Sequence, residues 1–91
     1  IPLGTAINMA HYVYILKTLD GYFNKTYVGY TTNLIKRLNK HNTSKGAKAT
    51  RGYKWKVIYK KRFNSKSTAL AYEYSIKKDR KKRLSILKEH K

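Results

Sequence analysis

The sequence predicts an α+β domain: a small three-stranded, mostly antiparallel sheet flanked by helices, in the order β-β-α-β-α-α. Three observations lead there. Short runs of alternating apolar and polar residues fall at 12–18, 26–30 and 55–63. Between and after them, apolar residues recur at helical spacing. Turn and cap residues punctuate the joins. With 91 residues, 41% of them hydrophobic, the chain has material for one domain with a modest core.

The first strand is YVYILKT, residues 12–18, with Tyr12, Tyr14 and Leu16 on one face and Val13 and Ile15 on the other. Asp20-Gly21 supplies turn chemistry, and TYVGY, residues 26–30, returns as the second strand of a hairpin. Thr31, Thr32 or Asn33 caps a helix that runs to about Asn42. TSKGAKATRG, residues 43–52, reads as a basic glycine-containing loop. WKVIYKKRF, residues 55–63, is the third strand, with Trp55, Val57 and Tyr59 opposite Lys56, Ile58 and Lys60. Ser65 caps a helix over 66–78 and Asp79 another over 80–89. In the last helix Leu84 and Leu87 are expected inward and Arg80, Lys81, Lys82 and Arg83 outward. Met9 is a natural start, so residues 1–10 are expected to be an N-terminal arm or an appended leader, and 11–91 the single domain.

Charge narrows the function. Twenty-two Lys and Arg against four acids give a formal net charge of +18. Self-repulsion on that scale destabilises a small fold, and a polyanionic partner relieves it. Nucleic acid, with DNA foremost, is the expected partner. A membrane is not, because the basic residues are spread along the chain and no apolar run reaches the roughly 18 residues of a span. The N-terminal segment does not read as a signal peptide. The absence of cysteine excludes disulfides and thiolate metal sites. The expected location is the cytoplasm, on the nucleoid. A protein partner is compatible with the sequence but not implied by it.

Glu73 is out of place. At about 100° per residue from Ala69, Ile76 falls near ~340°, Glu73 near ~40° and Leu70 near ~100°, so a carboxylate sits in the apolar stripe of its helix. An unpaired carboxylate is costly there. Two readings stand: an i,i+4 ion pair with Lys77, or a ligand for one divalent cation at the mouth of a cleft, completed by waters and substrate phosphate. Asp20, Asp79 and Glu89 lie in a turn, at a cap and near the end, so a second carboxylate is not at hand and any general base must be another residue type. On the first helix Leu34, Arg37, Leu38 and His41 share an arc of about 100°. Arg37 and His41 thus flank the seam. Taken singly, each fits a snorkelling arginine and a surface histidine, and the tyrosines fit packing.

Taken together, the YVY of residues 12–14, the YVG of 27–29, Thr31, Asn33, Arg37, His41 and Glu73 resemble the GIY-YIG endonuclease domain. The SKGAKATRG loop and the IKKDRKKRLSIL tail resemble its small stand-alone bacterial members. The resemblance covers about residues 11–88. Tyr12 stands where the family's first motif has glycine, which makes the backbone there less permissive.

The resemblance implies a metal-dependent phosphodiester hydrolase, an endonuclease or nickase acting on DNA, directed by structure or ends rather than by sequence. It implies Tyr27 as the general base with Tyr14 beside it, Gly29 allowing close approach, Arg37 on the scissile phosphate, and His41 hydrogen-bonding nearby. It also implies Glu73 holding a single Mg²⁺ or Mn²⁺. Lys45, Lys48, Arg51, Lys77, Arg80 and Lys81 would contact backbone phosphates. DNA repair is among the processes such a nuclease serves. The alternative is a catalytically silent module that binds DNA or RNA. A structural or ribosome-associated basic protein explains the charge but not the motif spacing.

Overall fold

The computed structural model describes residues 10–89. Apart from Ala10, the expected N-terminal arm lies outside the described residues. The sheet consists of β1 (His11–Thr18), β2 (Thr26–Thr31) and β3 (Trp55–Phe63) in the order β2-β1-β3, with β1 antiparallel to both neighbours. Three helices follow the expected order: α1 (Leu34–Asn42), α2 (Lys66–Lys78) and α3 (Arg80–Glu89). A short 3₁₀ turn at Lys48–Thr50 interrupts the loop between α1 and β3.

The central strand is covered on both faces. Val13 and Ile15 pack with Val28, Ile58, Ala69, Ile76 and Ile86, which places α2 and α3 on one side. Tyr14 and Leu16 pack with Trp55, Tyr27, Leu34 and Leu38, which places α1 on the other. All four of these β1 residues are at most 1% exposed, as a strand sandwiched between helices must be.

Local chemistry sets the ends. Thr18 donates its hydroxyl to the Phe23 carbonyl at 2.7 Å and accepts from the Lys25 amide at 3.1 Å, closing the hairpin around Gly21, whose φ of +95° suits a residue without Cβ. Of the three expected caps of α1, Asn33 serves, its Oδ1 accepting from the Lys36 amide at 3.1 Å. Ser65 caps α2 through the Thr68 amide at 3.2 Å, and Asp79 caps α3 through the Lys82 amide at 3.0 Å.

Three expectations need correction. In β3 the register slips against Ile15–Leu16, so that Ile15 pairs with Tyr59 but Leu16 with Val57. Ile58 is the extra residue of a bulge, and both Ile58 and Tyr59 join the α2 side, away from Trp55 and Val57. In α3, Leu84 is 49% exposed while Ile86 is buried; the inner stripe is Arg83, Ile86, Leu87. Arg83 is therefore not an outward cation. Its Nη1 donates to the Ile76 carbonyl at 2.8 Å and to the Lys77 carbonyl, satisfying acceptors at the end of α2.

Candidate active site

Strand pairing builds the floor of the site. Tyr14 lies opposite Gly29 across β1 and β2, and Leu16 opposite Tyr27, so the two tyrosines share the α1 face two pairs apart, with Ile15–Val28 between them. The Tyr14 ring folds over Gly29. A Cβ at that position would stand 2.5 Å from the ring carbon bearing the hydroxyl, closer than any real contact, so a glycine is required there.

From the opposite side α1 brings His41, fully buried, with its ring 5.9 Å from that of Tyr14 and 5.1 Å from that of Tyr27. The expectation of a histidine at the flank of the seam gives way to one at its centre. Its Nε2 hydrogen-bonds the Tyr14 hydroxyl at 2.9 Å and its Nδ1 the Thr50 hydroxyl at 2.8 Å. The end of α1 is fixed to β3 by Asn42, whose side chain accepts from the Trp55 amide and donates to the Trp55 carbonyl at 3.1 Å.

Burial dominates the electrostatics. Desolvation pushes the Tyr14 phenol up to about 12; the Arg37 guanidinium beside it pulls the other way by hydrogen bonding and charge, and Tyr27 and Glu73 add smaller upward contributions. Desolvation also lowers His41, with the Arg37 charge acting in the same direction. Both groups are thus held neutral at ordinary pH.

Arg37 is half-buried, and its Nε is a buried donor with no partner among the described residues. Such an atom is unusual in a folded protein and is satisfied readily by an incoming anion. The guanidinium borders a pocket of about 370 Å³ shared with Thr31, Thr32, Asn33, Lys36 and Lys40 at the start of α1. A second pocket, of about 270 Å³, is bordered by Thr26, Tyr27, Val28, Lys77 and Arg83.

Glu73 comes from α2, which packs along β1 and β2. Its side chain is 16% exposed, and Lys77 Nζ stands 3.5 Å from it. The ion-pair reading is realised, yet the carboxylate remains near enough to act on Tyr14. Tyr14, Tyr27, Arg37 and His41 therefore gather on the α1 face of the sheet, while Glu73 comes from α2 on the other face, within reach of Tyr14 through its charge. Among the described residues no group of three or more His, Asp and Glu could ligate a metal, so Glu73 stands as a lone carboxylate. That donor set fits a hard cation taking most of its ligands from water and phosphate.

The remaining predicted cations, Lys45, Lys48, Arg51, Lys77, Arg80 and Lys81, are all exposed. Two residues went unnoticed in the sequence. Thr50 is fully buried against His41, and Gly46 packs so closely that a Cβ would lie 2.6 Å from His41 Nδ1. The glycine-containing loop is thus a cradle for His41 as well as a row of lysines. Its one sequence signal was a Gly and a Thr inside an otherwise basic run.

With this geometry in hand, known proteins offer a comparison. The GIY-YIG catalytic domain model matches residues 10–85. A UPF0213 protein of Streptococcus agalactiae is 44% identical over 87 residues, 93% of this chain and 96% of that protein. One from Oceanobacillus iheyensis is 52% identical over 68 residues, 74% of this chain and 76% of that protein. The solution NMR structure of a UPF0213 protein from Bacillus halodurans is 39% identical, covering 88% of this chain and 84% of that one, with a TM-score of 0.49.

Proposed function

We propose, for a chain that belongs to the GIY-YIG catalytic-domain family, that it hydrolyses phosphodiester bonds in DNA as a divalent-cation-dependent endonuclease or nickase. The observation that carries this reading is the gathering of both phenols, Arg37 and His41 on one face of the sheet, with the Arg37 Nε buried and unpaired and the Glu73 charge within reach of Tyr14. The net charge of +18 supports a polyanionic substrate. No helix among the described residues is long and apolar enough to cross a membrane.

Roles follow from the environments. Tyr14 is a poor base, since burial holds its proton to about 12 and its hydroxyl is bound to His41. Tyr27, half-buried at the sheet edge, is the phenol that water and substrate reach, and it takes the proton of the attacking water. Arg37 grips the scissile phosphate and offsets charge developing on it. Glu73 would hold the single Mg²⁺ or Mn²⁺, which when bound supplies Lewis-acid stabilisation of the leaving 3′ oxygen. Exposed Lys45, Lys48, Arg51, Lys77, Arg80 and Lys81 contact the phosphate backbone, which positions DNA without reading its sequence. Choice among substrates then rests on nucleic-acid structure and free ends, as in repair of damaged DNA at the nucleoid.

One observation favours a second reading. The Glu73–Lys77 pair leaves the carboxylate already compensated, as a silent nucleic-acid-binding module would have it. Incubation with supercoiled plasmid, branched DNA, single strands and RNA, with and without Mg²⁺ or Mn²⁺, separates the two. Cation-dependent nicking is expected, lost in Glu73→Ala and Arg37→Ala while Glu73→Ala still binds. Equal behaviour of wild type and Glu73→Ala sinks the enzyme and leaves the binding module.

A further inference from the structure

We infer that Thr50 is a positioning residue: by fixing the tautomer of His41 it sets the direction of a buried hydrogen-bond chain that ends on the Tyr14 hydroxyl, whose lone pairs are thereby presented to Arg37. The chain starts at the Ala47 carbonyl, which can only accept and which takes both the Thr50 amide at 3.0 Å and the Thr50 hydroxyl at 2.8 Å. A hydroxyl has one hydrogen. Once Thr50 has given it to Ala47, the oxygen facing His41 Nδ1 at 2.8 Å can only accept, so Nδ1 carries the ring proton.

The ring is neutral, because it is wholly buried and faces the Arg37 charge. Its Nε2 is therefore a bare acceptor, and the Tyr14 hydroxyl at 2.9 Å must donate to it. With its hydrogen committed to His41, the Tyr14 oxygen turns its lone pairs to the Arg37 guanidinium, which is all donors. In the opposite tautomer His41 would donate to Tyr14, and the phenol hydrogen would be forced against the guanidinium. The same reversal would take the Thr50 hydroxyl proton away from the Ala47 carbonyl and leave that carbonyl only the Thr50 amide.

The surroundings are built to hold this arrangement. Tyr14, His41 and Thr50 are each 0% exposed, so water cannot substitute for a missing partner. The Trp55 indole donates to the Thr50 carbonyl at 3.0 Å and anchors the loop from below. Gly46 lets the backbone close on the imidazole, its absent Cβ 3.2 Å from His41 Cα. The purpose of the loop is then to deliver one oriented hydroxyl, and Arg37 is aimed from two residues away.

The consequence for catalysis rests on the proposed nuclease reading; the tautomer itself does not. The experiment uses the full chain with ¹⁵N-histidine. Long-range proton–nitrogen correlation at neutral pH should show His41 with Nδ1 protonated and Nε2 bare. Thr50→Val should abolish that single tautomer, and Thr50→Ser should restore it. Partners that orient a histidine from outside a site are worth ~10- to 100-fold when removed. On plasmid DNA, kcat should fall by that order in Thr50→Val with KM little changed, and recover in Thr50→Ser. A wild-type ring protonated at Nε2 overturns the inference, as does a valine variant that keeps the Nδ1–H form or nicks normally. If the valine variant does not fold, the wild-type and serine spectra decide. If wild type cuts nothing, the nuclease reading fails and the spectra still judge Thr50.

Discussion

Tyr14→Phe deletes one buried oxygen, and two separable effects on stability follow. The first is the loss of the donor to His41 Nε2, which leaves a buried acceptor unpaired at a cost of about 1–3 kcal/mol. The second depends on pH. The phenol ionises near 10.0 in the unfolded chain but at about 12 in the fold. Above pH 10 the unfolded state releases a proton that the native state keeps, so stability falls with rising pH. The contribution is fully present below pH 10 and lost as pH rises through 12, about 3 kcal/mol in all at ~1.36 kcal/mol per unit. About half of it is gone between about pH 9 and pH 11. Phenylalanine cannot titrate. Urea unfolding of both proteins at pH 7, 9 and 11 should therefore show the variant weaker by about 1–3 kcal/mol at neutral pH and the gap narrower by roughly 1 kcal/mol at pH 11. Lysines and the other tyrosines titrate in both proteins and cancel in the difference. A gap that stays constant from pH 7 to 11 would show that Tyr14 is not desolvated in the fold, and with it would go the argument that Tyr14 keeps its proton while Tyr27 acts.

Gly29→Ala and Gly46→Ala should each destabilise the fold by about 1–3 kcal/mol, by driving a Cβ into the Tyr14 ring and the His41 ring respectively; denaturant midpoints measure the loss, and a midpoint unchanged in either variant refutes the close approach at that glycine. His41, lowered in the fold, gives an acid limb of opposite sign: stability is full above about pH 6.5 and falls below it as the unfolded imidazole takes a proton that the native one refuses. Urea titrations between pH 7 and pH 5 should steepen by up to ~1.36 kcal/mol per unit relative to His41→Gln, and coincident curves would exclude a buried neutral imidazole.

Element boundaries were legible because they rest on neighbours in the chain. Asn33, Ser65 and Asp79 each cap the helix they precede, through an amide three residues on. The misplacement of Glu73 was legible from helical angles alone, and the carboxylate does sit partly buried near Tyr14. What failed rests on contacts distant in sequence. The bulge at Ile58 answers a mismatch between β3 and β1 that nothing in WKVIYKKRF announces. Leu84 lost its place to Ile86 because Arg83 turned to cap α2, rotating the stripe of α3 by one residue. Thr50 looked like one polar residue in a basic loop, and only the packing of that loop on α1 gives it a histidine to hold.

The same strand order accounts for the division of roles between two tyrosines that look alike in the sequence. Tyr14 and Tyr27 face the same helix and stand two cross-strand pairs apart. Tyr14 belongs to the central strand, where helices cover both faces and every neighbour removes water. Its charged form is penalised and its hydroxyl is given to His41. Tyr27 belongs to edge strand β2 and borders the pocket that Lys77 and Arg83 also line. Tyr27 is half-buried there, so solvent reaches it. Placing one phenol at the centre of a three-stranded sheet and the other at its rim commits the first hydroxyl to His41 and, on the proposed reading, leaves the second to meet the attacking water. On the proposed reading, that asymmetry is why a site with a single carboxylate has no need of a second acid–base pair.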